Sequence, residues 1–291
     1  MKQIRLLFII GLAFMAMALR SDLPAYELFN QKGKEVKYKK LLKDALEADV
    51  VLFGELHNNP ISHWMQLELT RDLYAEKGDN LVLGAEMFES DNQMLLDEYI
   101  QGTIRQRNFE DEAKLWNNYQ TDYKPLVEFA REKNLKFVAS NIPRRYASVV
   151  HKKGFEGLDS LTPAAKLLLP PLPVAYDPDL PGYKAMIEMM GGMGSGHANP
   201  NLPKAQAIKD ATMAHFILMN YEPGNLVIHY NGAYHSNNYE GIYWYLKQEF
   251  PELNILTITT VEQDNIDELT EENTGVADYT ICVPSGMTKT Y

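Results

Sequence analysis

Cysteine is almost absent: Cys282 stands alone in 291 residues. One thiol excludes an internal disulfide and any multi-cysteine metal cage. Basic residues are outnumbered by acidic ones, 28 to 39, for a formal net charge of −11. No basic run exceeds a pair such as Lys39-Lys40. Nucleic acid and anionic lipid both need a basic face, so neither is an expected partner. Long apolar runs are also missing. The apolar stretch at residues 6–15 falls short of the roughly 20 residues of a membrane span. Internal repeats are absent too.

What is present is an ordinary globular composition, 45% hydrophobic and 23% charged, with ample length for a sizeable core. Lys2 and Arg5 precede the apolar stretch, and Ala16-Met17-Ala18 follows it as a small-x-small cleavage signal. Residues 1–18 therefore predict a cleaved secretory signal, and 19–291 a single domain. Cleavage removes two positive charges and takes −11 to −13. The expected location is the periplasm or cell envelope. No cysteine near the signal could carry lipid, so the chain does not read as a lipoprotein.

Short aliphatic runs at 49–55, 80–88, 135–141, 225–232, 254–260 and 279–284 predict strands, several apolar on both faces as buried parallel strands are. Asn58-Asn59-Pro60 reads as the cap and first turn of a helix over 61–77 that ends at Gly78. Further helices are expected at 124–133 and 241–249. The alternation predicts an α/β fold: a mostly parallel, doubly wound sheet with helices on both faces. Residues 142–223 break the rhythm with a proline-rich stretch, a Met/Gly stretch and a long helix. They read as a mainly helical insertion capping the ligand edge. The polar tail after Ser285 is expected to fray.

Three predicted strands end in polar groups: the first in Glu55 and His57, the second in Glu86, the fourth in Gly232 and His235. Period-two alternation points Glu55 and His57 the same way. If these strands are parallel neighbours, two carboxylates and two imidazoles converge at one edge. Such a set could ligate zinc, manganese or iron, or serve as acid and base in metal-free hydrolysis. His63 reads equally as a partner behind the tip or as a solvated first-turn residue. His151 suits a helix C-terminus, and His215 a core boundary.

Met190 and Met193 lie close to His197 on a glycine-rich stretch, where a histidine beside methionines could ligate haem iron or copper. The alternative is a lid whose methionines pack on the core. Arg144 and Arg145 could grip a carboxylate such as a haem propionate, or stand solvated at a helix start. The helical spacing of Trp116, Tyr119 and Tyr123 usually means core packing, and Tyr119, Tyr123, Tyr176 and Tyr183 are unranked candidates for an axial ligand.

The motifs GELHNNPISH, GAEMFESDNQ, DYKPLVEFAREKNLKFVASNIPRR, AQAIKDATMA and NGAYHSNNYEGI, in that order, resemble the ChaN family of envelope haem-binding proteins, within the Tiki/TraB/erythromycin-esterase superfamily. The likeness runs from about residue 48 to 260. It implies an α/β core with an added helical part. It also implies haem binding tied to haem and iron uptake, envelope uptake components as partners, and a homodimer around the ligand. In the wider superfamily the positions matching Glu55, His57, Glu86 and His235 form a shared site for metal-dependent proteolysis or ester hydrolysis. Haem binding is thus the first expectation and hydrolysis the alternative.

Overall fold

The protein is described by a computed structural model covering residues 23–192 and 199–291. The predicted signal, Met193 and His197 lie outside those residues. Seven strands form one sheet: β1 (Glu27–Asn30), β2 (Val50–Glu55), β3 (Leu81–Glu89), β4 (Phe137–Asn141), β5 (Leu226–Gly232), β6 (Ile255–Gln263) and β7 (Tyr279–Pro284). Their spatial order is β1-β7-β6-β2-β5-β3-β4, parallel throughout except for β1 against β7. All six predicted strands are present. The seventh, β1, is four residues of mixed polarity, too short to show a period.

The helices in chain order are α1 (Tyr38–Leu46), α2 (Pro60–Lys77), α3 (Gln93–Ile100), α4 (Gln106–Glu112), α5 (Lys124–Lys133), α6 (Arg144–Lys153), α7 (Pro163–Lys166), α8 (Pro181–Gly192), α9 (Leu202–Asn220) and α10 (Ile242–Glu249). Helix α2 opens as its sequence suggests: Asn59 Oδ1 accepts from the amides of Ile61 (3.0 Å) and Ser62 (3.1 Å), with Pro60 in the first turn.

Alternation along each strand sorts the core into two layers. Val51, Phe53, Leu83, Ala85, Ile228 and Tyr230 pack with α2, α3 and α5. Val50, Leu52, Val82 and Val227 pack with α9 and α10 on the other face. Helix α9 falls within the stretch expected as an insertion, but its apolar residues Ala211, Ala214 and Ile217 lie on the sheet itself. A smaller cluster, with Ile142, Val150, Leu158, Leu169 and Ile208, joins α6 to the start of α9. The open edge of β4 is covered without another strand. Gln93 donates to the Phe137 carbonyl (2.8 Å) and accepts from the Ala139 amide (2.6 Å), as a neighbouring strand would.

The topology places the site. Strands β3 and β4 extend the sheet to one side of β2, then β5 returns between β2 and β3 before β6 and β7 extend the other side. Such a reversal opens a crevice at the C-terminal strand ends. Two expectations change here. The methionine stretch through Met190 is helical in α8, though the Met190 side chain is outside the description. The tail after Ser285 does not fray: Thr290 N–H donates to the Asn58 carbonyl at 2.9 Å.

Candidate functional site

Glu55 ends β2 on the face covered by α2 and α5, and that layer supplies its partners. It is 2% exposed. Its Oε1 accepts from His57 Nδ1 (2.8 Å) and from the Tyr123 hydroxyl (2.7 Å), and its Oε2 from Gln66 Nε2 (2.5 Å). Burial works to raise the Glu55 pKa, but the bonds from His57 and Tyr123 and the nearby His63 ring hold it below the usual range. His57 is raised in turn: burial lowers it, and Glu55 and Glu86 more than compensate. With Nδ1–H committed to a carboxylate, Nε2 has no hydrogen-bond partner among the described residues.

His63 is the partner behind the tip. Its side chain is buried, Nε2–H donates to the His57 carbonyl (3.0 Å), and Nδ1 faces Gln66 Oε1 (3.3 Å) and Glu55 Oε2 (3.6 Å).

Glu86 points to the opposite face, toward α9. Past Ala85 the β3–β4 register shifts, so that Glu86, Met87 and Phe88 stand against Ser140 alone. A bulge of this kind re-aims side chains. The Glu86 carbonyl, which it leaves off the ladder, accepts from Asn141 Nδ2 at 3.0 Å. Glu86 Oε2 accepts from the Gly232 amide (2.7 Å), and Oε1 lies 3.2 Å from His235 Nε2. His235 Nδ1 donates to Asp210 Oδ1 (2.5 Å), and the Tyr183 hydroxyl to Asp210 Oδ2 (3.2 Å). Burial pulls the His235 pKa down, but Glu86 and Asp210 lift it to about 10. Burial likewise raises Glu86, and His235 with the Gly232 amide drives it well below the usual range. Asp210 is lifted by burial, so Glu86 is the firmer anion of the two.

The two groups meet over Gly232, which pairs with Glu55 across β2 and β5. They face a cavity of about 560 Å³ whose lining includes Leu56, Trp116, Ile142, Arg144, Lys209 and Tyr234. A second cavity, about 640 Å³, adjoins it and shares Glu89, Trp116 and Arg144. All four residues at the predicted strand tips thus line one cavity. They do not act as one ligand set: each carboxylate is engaged by its own imidazole. Among the described residues, no group of three or more His, Cys, Asp or Glu is placed to hold a metal ion.

Arg144 is exposed, lines both cavities and has no ion pair among the described residues. Arg145 lines the second cavity, pairs with Asp91 and stacks on Tyr146. Tyr123 lies beneath Glu55, 1% exposed, with its hydroxyl committed, and does not line either cavity. Tyr119 and Tyr183 are also buried, and Tyr176 stacks on Tyr183.

Residues 41–246 match the family described as haem-binding uptake, Tiki superfamily, ChaN. The chain belongs to this family. ChaN of Campylobacter jejuni, in its structure with cofacial haem binding, superposes with a TM-score of 0.63 at 17% identity, covering 88% of this chain and 96% of its own. A Bacillus cereus protein gives 0.50 at 12% identity, covering 89% and 95%. An erythromycin esterase, EreC, gives 0.47 at 11%, covering 89% and 83%. The first two likenesses establish a shared fold. No curated protein matches the chain.

Asp210, Gln66 and Tyr234 escaped the sequence reading. Asp210 had a readable signal: it shares the buried face of α9 with Ala207, Ala211 and Ala214, where a lone acid calls for a partner. Gln66 and Tyr234 carry no such mark, because polar residues of ordinary helices and turns look the same.

Proposed function

We propose that this chain is an exported haem-binding protein contributing to haem and iron uptake at the cell envelope. Family membership supports the ligand class, and one observation carries the reading to residues. His57 presents an Nε2 with no partner among the described residues to a cavity whose walls are part apolar and part charged, while Nδ1 is fixed by a buried carboxylate. A carboxylate behind an imidazole is the usual support of a metal-ligating histidine.

The residues present fit haem. The cavity volume lies within the usual ligand range of about 300–1,000 Å³. Trp116, Leu56, Ile142 and Ala147 provide apolar wall, and Arg144 a carboxylate partner. The iron can be held by His57 Nε2, or by the hydroxyl of Tyr234, 48% exposed on the same lining, once it gives up its hydrogen bond to the Gly182 carbonyl (2.7 Å); His197 stays a third candidate outside the described residues. Bound haem supplies the iron chemistry. The chain's own groups orient it, shield one side and neutralise its propionates. Cofacial binding in the Campylobacter protein supports a homodimer here, with envelope uptake components receiving the cargo. Residues 1–18 support export.

Titrating the mature protein with haemin tests this. A saturable Soret shift with an equimolar end point is expected, its shape separating histidine from tyrosine ligation. His57→Ala should change that shape or weaken binding at least tenfold if the imidazole is the ligand. Absence of any saturable shift rejects the reading.

A second reading, hydrolysis of an ester or peptide, is favoured by one feature: two carboxylate–imidazole pairs face each other across the cavity. His57 would take the proton of the attacking group, and the His235 imidazolium would stabilise negative charge. A hydrolytic rate unchanged in Glu55→Ala removes this reading.

A further inference from the structure

The segment after β7 has no core of its own, yet it is anchored around the turn that carries His57. Thr290 N–H donates to the carbonyl of Asn58, the residue next to His57, at 2.9 Å. The Thr290 hydroxyl donates to Asp122 Oδ2 at 2.8 Å. Asn59, the cap of α2, reaches the Met287 sulfur at 3.8 Å, and Lys289 pairs with Glu262.

Asp122 is the hub. It is 4% exposed. The same Oδ2 accepts from Asn118 Nδ2 (2.7 Å) and lies 3.5 Å from His63 Nε2. Among the described residues, Asn118 and His63 are the two side chains that donate to the His57 carbonyl, at 2.9 and 3.0 Å. The contacts therefore run from the tail to Asp122, from Asp122 to Asn118 and His63, and from both to the backbone of His57. Tyr291 also lines the second cavity, beside Trp116 and Arg144.

We propose that residues 287–291 form a clasp that positions His57 and whose docking is coupled to occupancy of the cavity. Undocking withdraws the Thr290 donors from Asn58 and Asp122 together. Asp122, 4% exposed with the segment docked, then has its Oδ2 open to water, so its hold on Asn118 and His63 shifts, and the His57 turn loosens. Coupling of binding equilibria is reciprocal: a ligand that needs His57 in place favours the docked tail by the same factor. This second half rests on the reading of the cavity as a haem site; the first half does not. Thr290 and Asp122 are positioning residues, since neither lines the main cavity.

The test uses the full chain with Thr290→Val and Thr290→Ser. Carbethoxylation of His57 by diethyl pyrocarbonate is followed by mass spectrometry, with His151 and His215 as internal references. Thr290→Val should speed modification of His57 about 5-fold or more, the lower end of usual coupling, with the reference histidines unchanged. Thr290→Ser should restore the wild-type rate. Haemin should slow hydrogen exchange of the 287–291 amides in wild type and much less in Thr290→Val. An unchanged His57 rate overturns the clasp, as does an equal rise at all three histidines. Haemin binding without any change in tail exchange overturns the coupling. If wild type binds no haemin, the functional reading fails and the His57 rates alone decide the clasp.

Discussion

A methyl group added at Gly232 would sit 2.8 Å from both Cε1 and Nε2 of His57, closer than real Cβ contacts come. The backbone there is ordinary, with φ −57°, so the glycine serves approach rather than conformation. It lets the imidazole lie over the end of β5, between the two carboxylates. Gly232→Ala is therefore expected to fold with a melting temperature near wild type and to displace the His57 ring. Haemin affinity should fall about tenfold or more, roughly 1.4 kcal/mol. Unchanged affinity in the titration would show that ligand binding does not use His57 in this position. That Glu55, His57, Glu86 and His235 would share one edge was legible, because charged groups at the ends of apolar strands stand out, and all four line one cavity. Gly232 was legible as a tight point but not as the seat of an imidazole, since contact across strands has no trace in one-dimensional spacing.

The elements divide the labour by face. Glu55 follows the parity of Val51 and Phe53 and meets α2 and the turn before α5. Glu86, beyond the bulge, meets α9 through His235. Strands β2, β3 and β5 were readable because parallel strands buried on both faces are apolar throughout. The bulge was not, since it depends on the register of β4 and leaves no residue signature. The proline-rich sequence before helix α9 predicts an insertion there; the helix is a crossover packed on the sheet. Its Asp210 is the test of that assignment. Removing one partner of a buried pair costs about 3–5 kcal/mol. Asp210→Ala should lose on the order of 3 kcal/mol in urea unfolding, with His235 stranded between Glu86 and a void. A loss below about 1 kcal/mol would mean that His235 carries no charge in the folded chain.

The whole molecule combines these pairs into a dependence of stability on pH. His235 has a folded-state pKa of about 10, above the ordinary 6.5. Its contribution is complete below the ordinary value and is lost as pH rises through about 10. Glu55 and Glu86 lie below the ordinary 4.5. Their contribution is complete above 4.5 and is lost as pH falls through their folded values. His229 is fully buried between Ser140 and Asn231, and burial lowers it to about 4. It is stabilising while neutral, above 6.5, and its contribution drains as pH falls from there toward 4. The melting temperature should therefore peak near neutrality, decline first through His229 on the acid side, and decline through His235 on the alkaline side. The alkaline limb separates the causes. In His235→Gln no imidazolium is lost above neutrality, so the variant should melt lower than wild type at pH 7 and converge on it as pH approaches 10. Parallel curves for the two proteins would place the alkaline limb elsewhere and leave His235 neutral at the floor of the cavity.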